Sequence, residues 1–298
     1  MRKLYKSVLA VAVGSLGLGL LSACSDAGAQ SESSDATGDQ VSVATSIYPM
    51  TFLAEQVVGD SGRVIDLAPT SGEAHDLELS PRQVSDLMKA DVALYLGDGF
   101  QPPVEQAVAQ RDGASVDALQ VVSEGELRSG DPHIWLSPEL MSQVAGSLAD
   151  QLAQVDPDHA DQFQANAERL QQELGQLDQE YRTALAGCAA GSLLTSHEAF
   201  GYLADRYGFE QHGVMGINPE TEPSPKRLQE VQQLVKAEGI DSLFIEAGDS
   251  SGQKLAEILE LTPKELHTLE SKPEGMDYFE AMRANLEALT NGLGCAAG

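Results

Sequence analysis

One apolar face, about thirty residues long, limits what this chain can fold into more than any other feature of its sequence. Over residues 157–186, apolar side chains recur at spacings of three and four, which is the period of an α-helix. The face consists of Phe163, Ala167, Leu170, Leu174, Leu177, Tyr181 and Leu185. At 1.5 Å per residue this helix would be about 45 Å long, so we expect it to connect two lobes as a stiff support. The alternative is a coiled-coil segment, although the pattern continues for only about four heptads.

Short apolar segments alternate with helical patterns on both sides of this helix. We expect strands, in chain order, over residues 41–45, 63–67, 92–96, 192–196, 242–246 and, from a weaker pattern, 265–269. We expect helices after Ser80-Pro81, an N-cap followed by a proline at the first helical position, and over residues 199–207, 225–238 and 277–293. Alternation of this kind favours parallel sheets covered by helices.

The predicted fold is therefore α/β, with two lobes that contain parallel sheets and are joined by a long rigid helix. We place the N-terminal lobe at residues 41–152, the linking helix at 153–187 and the C-terminal lobe at 188–298. A chain of 298 residues with 42% hydrophobic residues is long and apolar enough to form two such lobes.

The first residues have the features of an export signal. Three basic residues precede an uncharged segment over residues 8–21, which is shorter than the roughly 20 residues of a transmembrane helix. It ends in Leu21-Ser22-Ala23-Cys24, which resembles the lipobox of bacterial lipoproteins, where the cysteine carries the lipid. We expect a signal peptide over residues 1–23 and a lipidated flexible tether over residues 24–40, which lacks large apolar residues. The alternative is an ordinary secretory signal that is cleaved nearby. Either signal predicts an extracytoplasmic protein, and the lipobox adds anchoring to the cell membrane.

The charge of the chain excludes one class of partner. Three of the 18 basic residues lie in the predicted signal peptide, so the mature chain has 15 basic and 46 acidic residues, a net charge of −31. Such a surface would repel phosphate backbones, and we expect no nucleic-acid partner.

Six histidines offer candidate metal ligands, and three of them lie where a strand or loop gives way to a turn. These three are His75, His133 and His197. A single histidine in such a place is more often a surface or hydrogen-bonded residue than a ligand. The separations of 58 and 64 residues match no local metal motif. The residues alone therefore only suggest a metal site.

Three segments resemble those of a known family. They are DPHIWL at residues 131–136, SHEAFGYL at 196–203 and GINPETEPSP at 216–225. In this order they are similar to the metal-binding proteins of zinc and manganese ABC transporters, the ZnuA/TroA-like solute-binding family. The resemblance extends over about residues 41–295 and implies two α/β lobes with a metal bound in the crevice between them.

The resemblance also implies a ligand set. His75 and His133 would come from the first lobe and His197 from the second, with a late carboxylate as the fourth ligand. The family usually has an aspartate at that position, whereas this chain has Glu270. Two other carboxylates near a strand end, Glu246 and Asp249, are competitors for this role.

Three imidazoles and one carboxylate form a set that suits zinc, whereas manganese prefers more oxygen ligands. This chemistry favours Zn²⁺, and the resemblance implies that the ion is a transported ligand, with a permease and its ATPase as partners. We expect a monomer and no enzymatic activity. Uptake of manganese or iron is the alternative within this class. A zinc hydrolase, which needs an open coordination position, and an adhesin are alternatives from other classes.

Three cysteines complete the set of candidate sites. With Cys24 assigned to the lipid, Cys188 and Cys295 remain, and two cysteines in an exported protein are expected to form one disulfide. Two buried free thiols are the alternative.

Overall fold

Two separate four-stranded sheets form the centre of the computed structural model, which describes residues 40–68, 74–188, 191–219 and 221–295. The strands of each sheet are all parallel. The predicted signal peptide, Cys24 and the tether up to residue 39 lie outside the described residues. In the part of the chain that the structure describes, no helix is both long enough and apolar enough to cross a membrane.

The first lobe has the strand order β2-β1-β3-β4. Its strands are β1 Val41–Thr45, β2 Gly62–Asp66, β3 Val92–Tyr95 and β4 Ala114–Asp117. Its helices are α1 Tyr48–Val58, α2 Pro81–Lys89, α3 Pro102–Val108, α4 Ala118–Val121 and α5 Pro138–Val155. Every residue of β1 is buried, as expected for a central strand covered on both faces.

The second lobe repeats this arrangement with the order β6-β5-β7-β8. Its strands are β5 Ser192–Thr195, β6 Glu210–Gly213, β7 Ser242–Glu246 and β8 Thr262–Leu266. Its helices are α7 Gly201–Tyr207, α8 Pro225–Glu238, α9 Ser250–Leu259 and α10 Tyr278–Gly292. In both sheets the strand order reverses beside the first strand of the lobe, and ligands of open α/β sheets bind beyond the carboxyl ends of strands at such a point.

The long helix predicted from the apolar face is α6, Ala160–Leu185. All seven residues of that face are buried. At one end, Asn166 donates a 3.0 Å hydrogen bond to the carbonyl of Val57 in α1. At the other end, the hydroxyl of Tyr181 donates to the carbonyl of Met282 in α10. The helix therefore packs against both lobes, and the predicted fold class is confirmed.

The start of this helix differs from the prediction. Residues 153–155 belong to α5, which packs beside α6, and a 3₁₀ turn at Pro157–His159 separates the two helices. The chain cannot continue α5 through this point, because a residue that precedes a proline is displaced from the helical region. Asp156 accordingly has φ −130° and ψ 80°.

The weakest predicted strand is also displaced. The pattern placed it at 265–269, whereas β8 is Thr262–Leu266 and contains Pro263. A proline is tolerated there because β8 lies at the edge of its sheet. The predicted disulfide is confirmed: Cys188 and Cys295 are joined just beyond the ends of α6 and α10.

Candidate metal centre

His75 lies in a single 3₁₀ turn, Ala74–Asp76, between β2 and α2 of the first lobe. Its ring packs edge-on against Phe100, with 4.8 Å between the ring centroids. The side chain is 10% exposed, which makes it the most accessible of the four candidate ligands. Phe100 fixes one side of the imidazole, so the ring has little freedom to turn away from the crevice.

His133 is fully buried and is oriented by a carboxylate two residues before it. One oxygen of Asp131, Oδ1, accepts a 3.0 Å hydrogen bond from the backbone N–H of His133 and lies 2.8 Å from its Nδ1. With the proton on Nδ1 donated to Asp131, the lone pair of Nε2 faces the crevice. This is the second-shell arrangement that histidine ligands of metals commonly have.

His197 follows the central strand of the second lobe by two residues and is 2% exposed. Its position is fixed through the backbone. The N–H of Ser196 donates to the carbonyl of Phe244 in β7, and the amide of Gln211 donates to the carbonyl of His197. The imidazole is therefore held at the carboxyl end of β5, where the fold places a ligand site.

Glu270 enters the crevice from the loop after β8, and it is 4% exposed. The residue before it, Leu269, has φ +64°, an unusual conformation for a branched side chain. The preceding carbonyl, that of Thr268, accepts a 2.7 Å hydrogen bond from the indole of Trp135 in the first lobe. This bond and the turn at Leu269 direct the carboxylate toward the histidines.

The four side chains converge on one point. Glu270 Oε1 lies 3.7 Å from His75 Nε2, 3.5 Å from His133 Nε2 and 4.0 Å from His197 Nε2. Ligand atoms at the corners of a tetrahedron around zinc, at about 2.1 Å from the ion, are roughly 3.4 Å apart. The ligand atoms of His75, His133 and Glu270 all lie within 4.8 Å of one another, whereas His197, whose Nε2 lies 4.0 Å from Glu270 Oε1, falls outside this closer group.

These atoms are buried, and they lack hydrogen-bond partners within the described residues. This holds for Nε2 of all three histidines and for both oxygens of Glu270. Buried polar atoms are normally paired, so a cluster of them that shares one centre indicates a site for a cation. The donor set and the spacing both fit a four-coordinate metal ion.

The two competing carboxylates have other contacts. Asp249 caps α9 and accepts hydrogen bonds from the backbone N–H groups of Ser251 and Gly252. Glu246 accepts a 2.6 Å hydrogen bond from the hydroxyl of Thr268. Glu270 is the carboxylate that the structure groups with His75 and His133.

The local environment separates the protonation states of two histidines. Burial lowers the pKa of His133, but its hydrogen bond to Asp131 and the facing negative charge of Glu270 outweigh this effect and raise the pKa to about 8. Burial and the neighbouring His133 lower the pKa of His197 to about 4. Burial would raise the pKa of Glu270, yet the facing imidazoles of His133 and His75 hold it well below its usual range. The carboxylate is therefore charged and His197 is neutral at pH 7.

Two residues around the ligands were not assigned a role from the sequence. Asp131 could have been identified, because it lies two residues before a candidate ligand and histidine ligands commonly donate to a carboxylate. The contact of Trp135 with Thr268 spans 133 residues of sequence, and no local pattern indicates it.

Fold and site together define a class: two-lobed α/β binding proteins with a buried histidine–carboxylate site in the crevice between the lobes. The family model of the zinc-uptake complex component A, ZnuA, a periplasmic protein, matches residues 43–292. The chain belongs to this ZnuA family.

Relatives and solved structures support this assignment. The high-affinity zinc uptake system protein ZnuA of Bacillus subtilis is 31% identical over 300 residues, covering 92% of this chain and 94% of the relative. The zinc-binding protein AdcA of Streptococcus pyogenes is 32% identical over 84% of this chain, which spans only 55% of that longer relative. The structure of a Zn(II)-bound AdcAII variant of Streptococcus pneumoniae superposes with a TM-score of 0.77 at 28% identity, covering 86% of this chain and 99% of that one.

Proposed function

We propose that this protein captures Zn²⁺ outside the cytoplasm and delivers it to the permease of an ABC importer, which an ATPase drives. The observation that carries the proposal is the convergence of three imidazole nitrogens on one buried oxygen of Glu270. The ion is the substrate of transport. Membership of the zinc-uptake family and the names of its relatives support zinc as the cargo.

The chemistry of the donor set supports zinc over manganese and iron. Three neutral nitrogens and one carboxylate oxygen match the tetrahedral N/O sites of zinc, whereas manganese is usually bound by more oxygens. The charge of Glu270 offsets part of the +2 charge of the ion in a crevice that water hardly reaches.

The same set supports a carrier rather than an enzyme. A catalytic zinc keeps one position open for water, and it needs a general base beside that position. With His75, His133, His197 and Glu270 all bound, four positions are filled by the protein. Such a site binds an ion without activating a water molecule.

We propose that the mature protein is a monomer anchored to the membrane by a lipid on Cys24. The lipobox and the polar composition of residues 24–40 support this arrangement. A tether of this length has a typical span of about 20–24 Å, which keeps the folded body near a permease.

The test uses the purified mature chain, stripped of metal and then analysed for its metal content after competition among zinc, manganese and iron. We expect one zinc per chain. The variant His197→Ala should bind zinc orders of magnitude more weakly, because the second lobe would then contribute only Glu270. His159→Ala is the matched control, since His159 is a half-exposed histidine bonded to Asp156. Wild-type affinity in His197→Ala would contradict the assignment.

A second pair of variants tests the fourth ligand. Glu270→Gln removes the charge beside the ion and should cost much more zinc affinity than Glu246→Gln, which alters a carboxylate bonded to Thr268. Equal losses in the two variants, or a water molecule in place of Glu270 in a zinc-bound crystal structure, would show that the ligand set is wrong.

A further inference from the structure

Both carboxylate oxygens of Asp131 form hydrogen bonds, and only one of them faces His133. Its Oδ1 faces the backbone N–H and the Nδ1 of His133, whereas its Oδ2 accepts a 3.2 Å hydrogen bond from Nε of Arg128. Both oxygens of this carboxylate, which is 4% exposed, are thus engaged. The guanidinium of Arg128 keeps the Asp131 carboxylate in the position from which it holds the imidazole.

Arg128 also contacts the other lobe. Its Nη1 donates to Oδ2 of Asp205 in α7. One turn earlier in α7, the hydroxyl of Tyr202 accepts a 3.0 Å hydrogen bond from the backbone N–H of Arg128 and donates a 2.9 Å bond to the carbonyl of Asp131. Three hydrogen bonds therefore join the 128–131 segment of the first lobe to α7 of the second.

Helix α7 also lies close in sequence to His197, the candidate ligand from the second lobe. Gly201, the first residue of α7, lies four residues after His197. A Cβ on Gly201 would lie 2.4 Å from Nε of Arg128 and 2.7 Å from Oδ2 of Asp131, so only glycine lets α7 approach this ion pair. The hydrogen bonds of Arg128 and Asp131 with α7 therefore join the segment that contains His133 to the segment that contains His197, and they involve none of the candidate ligands.

We propose that Arg128 is a positioning residue for the metal site, which holds Asp131 against His133 and joins this unit to α7 through Asp205 and Tyr202. The proposal rests on the proposed function, in which His133 and His197 bind the same ion from two lobes. A separation of the lobes that releases the ion would break the contacts with Asp205 and Tyr202, whereas those of Arg128 with Asp131 and of Asp131 with His133 lie within the first lobe. The bonds to α7 therefore slow the release of zinc.

The test measures the rate of zinc release from the mature protein by stopped-flow transfer to a chromophoric chelator. Arg128→Gln should release zinc about tenfold faster, since it removes charge-assisted hydrogen bonds on both sides of the lobe boundary. Asp205→Asn removes the charge of the cross-lobe partner only and should give a smaller increase. Combining the two should add little to Arg128→Gln, because the Asp205 contact is already lost.

Gly201→Ala tests the same contact without changing a charge. Alanine is the better helix former, so a general effect on α7 would stabilise the protein. The added methyl would displace the Arg128–Asp131 pair, and we expect faster zinc release. Thermal unfolding of the metal-free proteins is measured in parallel, since a merely structural role would appear there.

Arg283→Gln is the matched control, because Arg283 forms a comparable, half-exposed double contact with Glu180 between α10 and α6. Release at the wild-type rate from Arg128→Gln and Asp205→Asn, or equal acceleration in Arg283→Gln, would overturn the proposal. If Arg128→Gln fails to fold, Asp205→Asn and Gly201→Ala decide the question. Wild-type protein that binds no zinc would instead refute the proposed function.

Discussion

Two histidines of the site have opposite preferences for a proton. Asp131 and Glu270 both attract a proton to His133 and raise its pKa to about 8, although burial acts in the other direction. Burial and the positive charge on His133 lower the pKa of His197 to about 4, although the negative charges of Glu270 and Asp249 act in the other direction. At neutral pH the metal-free site therefore holds a proton on His133 and none on His197.

Zinc binding should consequently release a proton. A metal-ligating imidazole must lose the proton on the ligating nitrogen, and below its pKa of about 8 His133 carries that proton in the metal-free state. We expect roughly one proton released per zinc at pH 7 and almost none above pH 9, with affinity falling about tenfold per pH unit below 8. Calorimetry in buffers of different ionisation enthalpy measures this number. Zinc binding at pH 7 without proton release would contradict the pKa of His133.

The candidate ligands differ in how far the sequence could predict them. His133 and His197 lie in motifs whose resemblance to a family is specific, and the structure brings both to Glu270. The orientation of Glu270 could not be predicted, because it depends on Leu269 at φ +64°. A turn of this kind is usually indicated by glycine or asparagine, and a leucine there costs about 1–2 kcal/mol that the surrounding contacts must offset.

At the scale of elements, one tryptophan joins the two lobes beside the site. Trp135 lies in the 3₁₀ turn Ile134–Leu136, and its indole donates to the carbonyl of Thr268, two residues before Glu270. Its own carbonyl accepts a 2.7 Å hydrogen bond from the hydroxyl of Tyr278 at the start of α10. Trp135 is fully buried, so these bonds are not in competition with water.

Replacing this tryptophan should affect both stability and binding. Trp135→Phe leaves the Thr268 carbonyl without its donor and creates a cavity, and an unpaired buried polar group alone costs about 1–3 kcal/mol. The loop that carries Glu270 should then be less well held, so zinc affinity should fall as well. Urea unfolding of the metal-free protein and zinc titration measure the two effects.

Tyr278→Phe provides the comparison for this prediction. It removes the hydrogen bond to the Trp135 carbonyl but leaves the bond to Thr268 intact, so it should lower stability with a smaller effect on zinc affinity. Unchanged zinc affinity in Trp135→Phe would show that the indole does not position Glu270.

The elements were predictable where one periodicity dominates. α6 was predicted from its apolar face, and α2 from Ser80, whose side chain and backbone both pair with Gln83 in a capping box. α5 was not singled out as a separate long helix, although Ser137 caps it and Pro138 is its first residue. Its buried residues include Leu140, Val144, Leu148 and Leu152 at spacings of four, so the period that indicates α6 is present in α5 as well.

At the scale of the whole molecule, the disulfide joins the segments that directly follow α6 and α10. α6 ends at Leu185 and α10 ends at Gly292, three residues before Cys188 and Cys295 respectively. The disulfide therefore closes the second lobe at the point where the chain enters and leaves it. Cys188 lies before the amino end of β5, whereas His197 lies beyond its carboxyl end, so the crosslink and the metal site are at opposite edges of the sheet.

This separation predicts that stability and zinc binding respond differently to loss of the disulfide. The crosslinked cysteines are 107 residues apart, and closing a loop of about 100 residues is worth roughly 4.7 kcal/mol in the chain-entropy model, often less in practice. The double variant Cys188→Ser/Cys295→Ser should therefore lose about 2–5 kcal/mol of unfolding free energy. Its zinc affinity at 25 °C should remain close to that of the wild-type protein, because the crosslink lies at the edge of the second sheet opposite to His197. Urea denaturation of the metal-free proteins and zinc titration below the unfolding transition measure both quantities. An unchanged denaturation midpoint would show that the crosslink adds no stability, and a large loss of affinity in a fully folded variant would show that it also shapes the crevice.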